Sequence, residues 1–289
     1  MKPLAAVLVL AWGCLASGRL AIAADKPLAV VHPVFARSED GPPEASDEDF
    51  VPGETLHFSC QAEGYRKADR PNDYGKQNVS LKFQIEVRDK SGALLKSVEE
   101  GKIETTVTQE DKDWKPKLRD TIVVPPLADT GEYVVLIKLS DELAKADVEK
   151  TAVFHIKGRE VAPSDTLVVR NFRFLRSEDD GKPLPVAAYR PGDSVWARFD
   201  MTGYKLGEKN QVDIEYGLTV LQEDGSVAYT EPQAANQKIQ TFYPQRYQPG
   251  ELNLNLAKDQ PLGKYTIVLA VRDNLGQRMY ETRETFSVE

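Results

Sequence analysis

The sequence predicts an all-β protein built as two tandem β-sandwich domains. Three observations carry that prediction. A long stretch occurs twice, the apolar residues inside each copy recur with period two, and short turns rich in Gly, Pro and Asp separate them. The duplication is plainest in Phe50 to Tyr65 and Tyr189 to Tyr204: each opens on Pro-Gly and an acid, runs through alternating residues and closes on Gly-Tyr.

In chain order, residues 1–23 read as a secretory signal peptide. Lys2 supplies the positive start, Leu4 to Leu10 the apolar stretch, and Ala21-Ile22-Ala23 a small-residue cleavage site. A membrane anchor fits less well, because Gly13, Gly18 and Arg19 interrupt the run short of the ~20 apolar residues a span requires. A lipoprotein reading would lipidate Cys14, although Ala11-Trp12-Gly13 departs from the Leu-small-small pattern that precedes such a cysteine. The remainder divides into a first sandwich over 26–158, a linker over 159–166 and a second sandwich over 167–289.

The two copies align from Phe35 to Tyr65 against Phe174 to Tyr204 at a constant offset of 139. The offset falls to 133 where Val79 to Val87 faces Val212 to Val220, so the loop Arg66 to Asn78 has lost six residues in becoming Lys205 to Gln211. It is 132 from Gly131 to Phe154 against Gly263 to Phe286. A period of about 130 means two whole domains; solenoid repeats run 20–50 residues.

Leu81, Phe83, Ile85 and Val87 alternate with polar residues, as do Ile214, Tyr216, Leu218 and Val220; each set marks a strand with one face in a core. Asp224-Gly225 predicts a hairpin turn into Val227-Ala-Tyr229, since Asp-Gly accommodates positive φ, and Ser91-Gly92 holds the matching place. Tyr133 to Leu139 and Tyr265 to Val271 are strands ending at Asp141 and Asp273, each followed by a turn and a last strand reaching Phe154 or Phe286. The linker Lys157 to Asp165 is too polar to be a strand, too short to let the domains drift far apart, and stiffened by Pro163; its length predicts an end-to-end pair with limited hinge motion.

Asp129-Thr-Gly-Glu-Tyr133 resembles the Asp-x-Gly-x-Tyr signature before strand F of immunoglobulin domains, and Leu56 to Cys60 resembles their strand B. The resemblance implies immunoglobulin-like sandwiches in which the tyrosine hydroxyl ties down the preceding corner. Val135 and Ile267 stand where that family has its second cysteine, Phe199 replaces Cys60, and the second signature weakens to Pro261-Leu-Gly-Lys-Tyr265. The family's disulfide is therefore not implied.

Composition narrows the function. The 289 residues are 41% hydrophobic and 28% charged, an ordinary globular balance. Cleavage after Ala23 would remove Lys2 and Arg19 and no acid, leaving 35 basic and 45 acidic residues, a net charge of −10. Nucleic-acid binding is disfavoured by that field, and no membrane insertion of the mature chain is expected. Cys60 would then be the sole cysteine, so stability must come from core burial.

Signatures of catalysis are missing: there is no Gly-x-Ser-x-Gly, His-Glu-x-x-His, phosphate-binding glycine loop or Cys-x-x-Cys. His32, His57 and His155 lie far apart and lack counterparts, and Cys60 reads as buried filler. No cofactor or metal is expected. The acidic stretches Ser38 to Asp40, Asp47 to Asp49 and Ser177 to Asp180 raise a Ca²⁺ site, but their spacing does not fit an EF-hand loop and a solvated charged connection is the commoner explanation. The repeated Arg37 and Arg176, each followed by Ser-Glu-Asp, read as pins for one loop in both domains.

One stretch suggests a ligand or partner surface. Phe242, Tyr243, Arg246 and Tyr247 cluster on a connection, and Trp114 stands at the equivalent of Arg246. Rings beside a guanidinium would suit an unidentified protein or a glycan. The expectation is a non-enzymatic exported protein, periplasmic, cell-surface or extracellular, acting in adhesion, scaffolding or recognition. The alternative is a carbohydrate-binding accessory protein using that aromatic surface.

Overall fold

The computed structural model describes residues 26–45 and 47–289, so the signal-peptide and Cys14 readings lie outside the described residues. The chain is all-β. Its first half contains β1 (Ala29–Ala36), β2 (Asp49–Phe50), β3 (Thr55–Glu63), β4 (Ala68–Asp69), β5 (Lys76–Asp89), β6 (Glu99–Thr108), β7 (Lys117–Val123), β8 (Gly131–Asp141) and β9 (Ala146–Ile156). The second half contains β10 (Val168–Leu175), β11 (Ala188–Tyr189), β12 (Ser194–Thr202), β13 (Gln211–Leu221), β14 (Val227–Gln240), β15 (Tyr247–Asn255), β16 (Gly263–Asp273) and β17 (Arg278–Val288).

Each half is an immunoglobulin-like sandwich. A sheet ordered β1-β3-β7 faces one in which β9, β8, β5 and β6 run side by side, with β2 parallel to β9. The second half repeats this with β10-β12-β15 against β11-β17-β16-β13-β14. Alternation produces the packing: in β3 every second residue from Leu56 to Ala62 is buried, and in β12 Val195, Ala197, Phe199 and Met201 are. Phe35, Phe50, Phe58, Tyr133 and Phe154 fill the first core, and Phe174, Tyr189, Phe199, Tyr265 and Phe286 the second.

The duplication extends to individual hydrogen bonds. The hydroxyls of Tyr133 and Tyr265 donate to the carbonyls of Asp129 (2.9 Å) and Pro261 (2.8 Å), forming a tyrosine corner in each sandwich even where the sequence signature has weakened. Asp141 and Asp273, both buried, cap the last hairpins. One oxygen accepts two turn amides, and the other accepts the amide of Arg66 or Lys205. A β-bulge interrupts the first strand of each half, with His32 and Asn171 in left-handed backbone conformation at φ 52° and 51°. Gly64 and Gly203, also left-handed, lie so close to the carbonyls of Pro27 and Thr166 that no side chain would fit.

Two strands are more extensive than the sequence suggests. β14 runs to Gln240, well past Tyr229, and β6 occupies the same position in the first sandwich. Both overhang the opposite sheet, so most of their side chains meet water and the apolar alternation that marks a half-buried strand is absent. Cys60 is a buried free thiol, and burial pushes its pKa up to about 12.

Candidate functional site

The connection between β14 and β15 carries Phe242, Tyr243 and Arg246 of the five residues singled out as a surface, Tyr247 opens β15, and the structure divides them. Tyr243 and Tyr247 are only 4% and 3% exposed, whereas Phe242 is 57% exposed. The flat aromatic platform expected from Phe242, Tyr243 and Tyr247 is therefore not formed. Tyr243 turns away from the second sandwich and joins the hydrophobic core of the first. Trp114, 37% exposed, packs edge-to-face on Tyr65, and its carbonyl accepts the Tyr65 hydroxyl at 2.7 Å.

Arg246 shows why Tyr243 is drawn across. Its guanidinium donates to Asp89 and to the Ser91 hydroxyl, both at 2.6 Å, to the Tyr243 hydroxyl at 2.8 Å and to Asp129 at 3.3 Å. Tyr243 in turn donates to Asp89 at 2.9 Å. Asp89 and Ser91 belong to the β5–β6 turn, and Asp129 to the tyrosine corner, so one side chain of the second sandwich ties together two loops of the first. Burial by itself would raise the Asp89 pKa, but hydrogen bonds from Ser91, Arg246, Tyr243 and the Ala93 amide outweigh it and hold the carboxyl below its usual range. Arg246 is raised: burial works against its charge, and Asp89 and Tyr243 more than offset it. Tyr243 is pushed well up by burial.

The connecting segment is fastened alongside. The Thr130 hydroxyl donates to the Gly158 carbonyl (2.9 Å), and Arg159 bridges to Asp129 through the backbone. The Arg159 side chain lies 3.0 Å from Oδ1 of Asp200, which is 0% exposed. That oxygen has no aligned hydrogen-bond donor, so the contact is best described as an ion pair. Asn171 completes the attachment, donating to Oδ2 of Asp200 at 2.9 Å and to the Glu160 carbonyl at 3.3 Å. Between these contacts lies a groove of about 580 Å³, whose walls include Lys90, Asp129, Arg159, Glu160, Arg246 and Tyr247. Arg246 with Asp89 and Asp129, and Arg159 with Asp200, are engaged with one another, so its polar walls serve mainly to hold the two halves in place.

The other sequence motifs take simple places. Arg37 lies over the Phe50 ring at 5.0 Å and pairs with Glu44, Glu48 and Glu54; Arg176 lies over Tyr189 at 5.6 Å and pairs with Asp193. Each arginine pins its loop to an aromatic of the next short strand. Glu39 and Asp40 of the first acidic stretch face Arg119. Among the described residues no three His, Cys, Asp or Glu side chains converge as a metal site would require.

No protein-family model matches the sequence, and no curated protein does either. Among solved structures the chain is similar to a family 123 glycoside hydrolase from Clostridium perfringens, at 14% identity and a TM-score of 0.29, over 43% of this chain and only 27% of the hydrolase. It is also similar to the C-terminal domain of the Streptococcus agalactiae antigen I/II polypeptide BspA, at 13% identity and a TM-score of 0.30, over 91% of this chain and 100% of that one. The C-terminal domain of the Streptococcus pyogenes antigen I/II-family protein AspA gives 9% identity and a TM-score of 0.28 over 90% and 99%. Likenesses this distant carry no argument about function. Among the described residues no helix is long and apolar enough to cross a membrane.

Proposed function

We propose that this is a non-enzymatic exported protein of adhesion, scaffolding or recognition, in which two immunoglobulin-like sandwiches act as one stiff unit. The observation that carries the reading is the Arg246 cluster. A buried tyrosine and a guanidinium of one sandwich are inserted among Asp89, Ser91 and Asp129 of the other. Two domains that only needed a tether would have no use for a partly buried charge network between them. A fixed mutual orientation is what a spacer or a two-domain recognition surface requires, because a partner contacting both domains then meets a preorganised surface.

Small-angle scattering of the mature chain tests this. The wild type should fit one rigid arrangement, and Arg246→Ala combined with Tyr243→Ala should broaden the distribution of inter-domain distances. A wild type as broad as the double variant would sink the reading. Cell fractionation tests the exported half of the proposal: recovery of the protein uncleaved in the cytosol would contradict it.

A further inference from the structure

The outer face of the β10-β12-β15 sheet carries a charge arrangement that its own fold does not explain. Arg173 on β10 stands directly across from Arg198 on β12, and Arg198 directly across from Glu251 on β15. Arg198 is satisfied by Glu251 at 2.7 Å, and Arg159, lying over the same face, by Asp200 at 3.0 Å. Arg173 has no carboxylate within 4 Å among the described residues; its one recorded hydrogen bond is to the Asn171 carbonyl, at 3.1 Å. Like charges placed directly opposite across a strand pair are destabilising. Burial pushes the Arg173 pKa down, Arg159 and Arg198 push it the same way, and Asp200 only partly opposes them.

The other half of the molecule supplies an internal control. At the equivalent positions, offset by 139, the first sandwich has Val34 across from Ser59, and the bulge that carries His32 there carries Asn171 here. The fold therefore builds this sheet, bulge included, without a pair of facing arginines; the one arginine of that row in the first sandwich, Arg119 across from Ser59, meets Glu39 and Asp40. Trp196, two residues before Arg198 and so on the same face, adds a half-buried ring where the first copy has His57. A groove of about 360 Å³, walled by Arg159, Arg198 and Glu251 among others, lies beside this row on the β15 side and does not reach Arg173. Glu251 and Asp200 compensate the pair only in part and leave Arg173 itself without a carboxylate partner, and a local rule broken with incomplete compensation inside the fold is the mark of a site completed from outside.

We infer that this face is a binding site for an oxyanion of the sulfate or carboxylate type, with Arg173 as the open guanidinium and Arg159 and Arg198 adding field. A guanidinium presents paired N–H donors in the geometry a sulfate or carboxylate accepts. Trp196 beside it suits an oxyanion carried on a sugar ring. This gives a ligand class to the recognition role proposed above and rests on it for biological meaning, but the site lies apart from the Arg246 cluster and is tested separately.

The test compares the full mature wild type with Arg173→Gln by calorimetric titration and thermal melts, at constant ionic strength, with inorganic sulfate in one arm and a sulfated disaccharide in the other. The general stabilisation by sulfate acts on both proteins alike, so only their difference counts. Arg173→Gln should be at least as stable as the wild type, since it relieves repulsion, and should bind at least tenfold more weakly. Loss confined to the disaccharide arm assigns the oxyanion to a saccharide, and equal loss in both arms assigns it to a free anion. Equal binding or equal melting shifts for the two proteins in both arms would overturn the inference. Arg246→Ala, which loosens the inter-domain cluster, should leave both arms unchanged, so failure of this site and failure of the stiff-unit reading remain distinguishable.

Discussion

Arg246 is the side chain on which the contact between the sandwiches chiefly depends. Its removal leaves Asp89 buried with fewer donors, and hydrogen bonds to charged groups contribute about 1.5–3 kcal/mol each. Arg246→Ala is therefore expected to lower unfolding free energy by about that amount, measured by urea titration, and to leave the second core intact. The pH dependence has a definite sign. The folded Asp89 pKa is depressed, so its contribution is fully present above the unfolded-chain value near ~4 and is lost as pH falls through the lower folded value. Wild type and Arg246→Ala should differ in stability at neutral pH and converge at strongly acid pH; a difference that grew on acidification would contradict the assignment. None of this was legible in the sequence. Tyr243 and Arg246 stood out as a motif, but their partner Asp89 lies 154 and 157 residues away, and an aromatic beside an arginine reads the same whether it faces water or another domain.

The strands and corners were far more legible, because each obeys a local rule. Period-two alternation located β3, β5, β12 and β13, apolar runs ending at an aspartate located β8 and β16, and the resemblance at Asp-x-Gly-x-Tyr located the first tyrosine corner. Tyr133→Phe should cost about 1 kcal/mol, one ordinary hydrogen bond, and Tyr265→Phe more, because its hydroxyl also accepts from Gln260 at 2.8 Å; thermal or urea melts that rank the two losses in that order are the check. The length of β14 was missed because a strand overhanging its sandwich buries neither face. Among the described residues its outer edge is unpaired, a hazard that Pro232 and the bulge between Tyr216 and Leu218 moderate. Gly217 makes the bulge feasible: a Cβ there would stand 2.2 Å from the Pro232 carbonyl. Gly217→Ala should cost about 1–3 kcal/mol by overpacking, and light scattering should show increased self-association as the edge straightens. Unchanged stability would show that the strand can shift aside.

Two fastenings, which share Asp129 and otherwise differ in their partners, hold the two sandwiches in one orientation. Arg246 ties the β14–β15 connection to Asp89, Ser91 and Asp129, and Arg159 holds the linker against Asp200 and, through its backbone, against Asp129. The short linker predicted limited motion, but length cannot distinguish a free tether from a strap attached along its course. If the two fastenings act in parallel, either one suffices to keep the orientation, and only their joint loss frees the domains. Residual dipolar couplings give the decisive measurement. One alignment tensor should fit both sandwiches in the wild type and, with somewhat reduced order, in Arg246→Ala or Arg159→Ala alone, whereas the double variant should require two. The Arg159 variant carries its own cost, since an uncompensated buried Asp200 destabilises by about 3–5 kcal/mol, so Asp200→Asn is added to keep it folded. A wild type that already needed two tensors would mean that neither fastening persists in solution, and the stiff unit would give way to two independent modules on a tether.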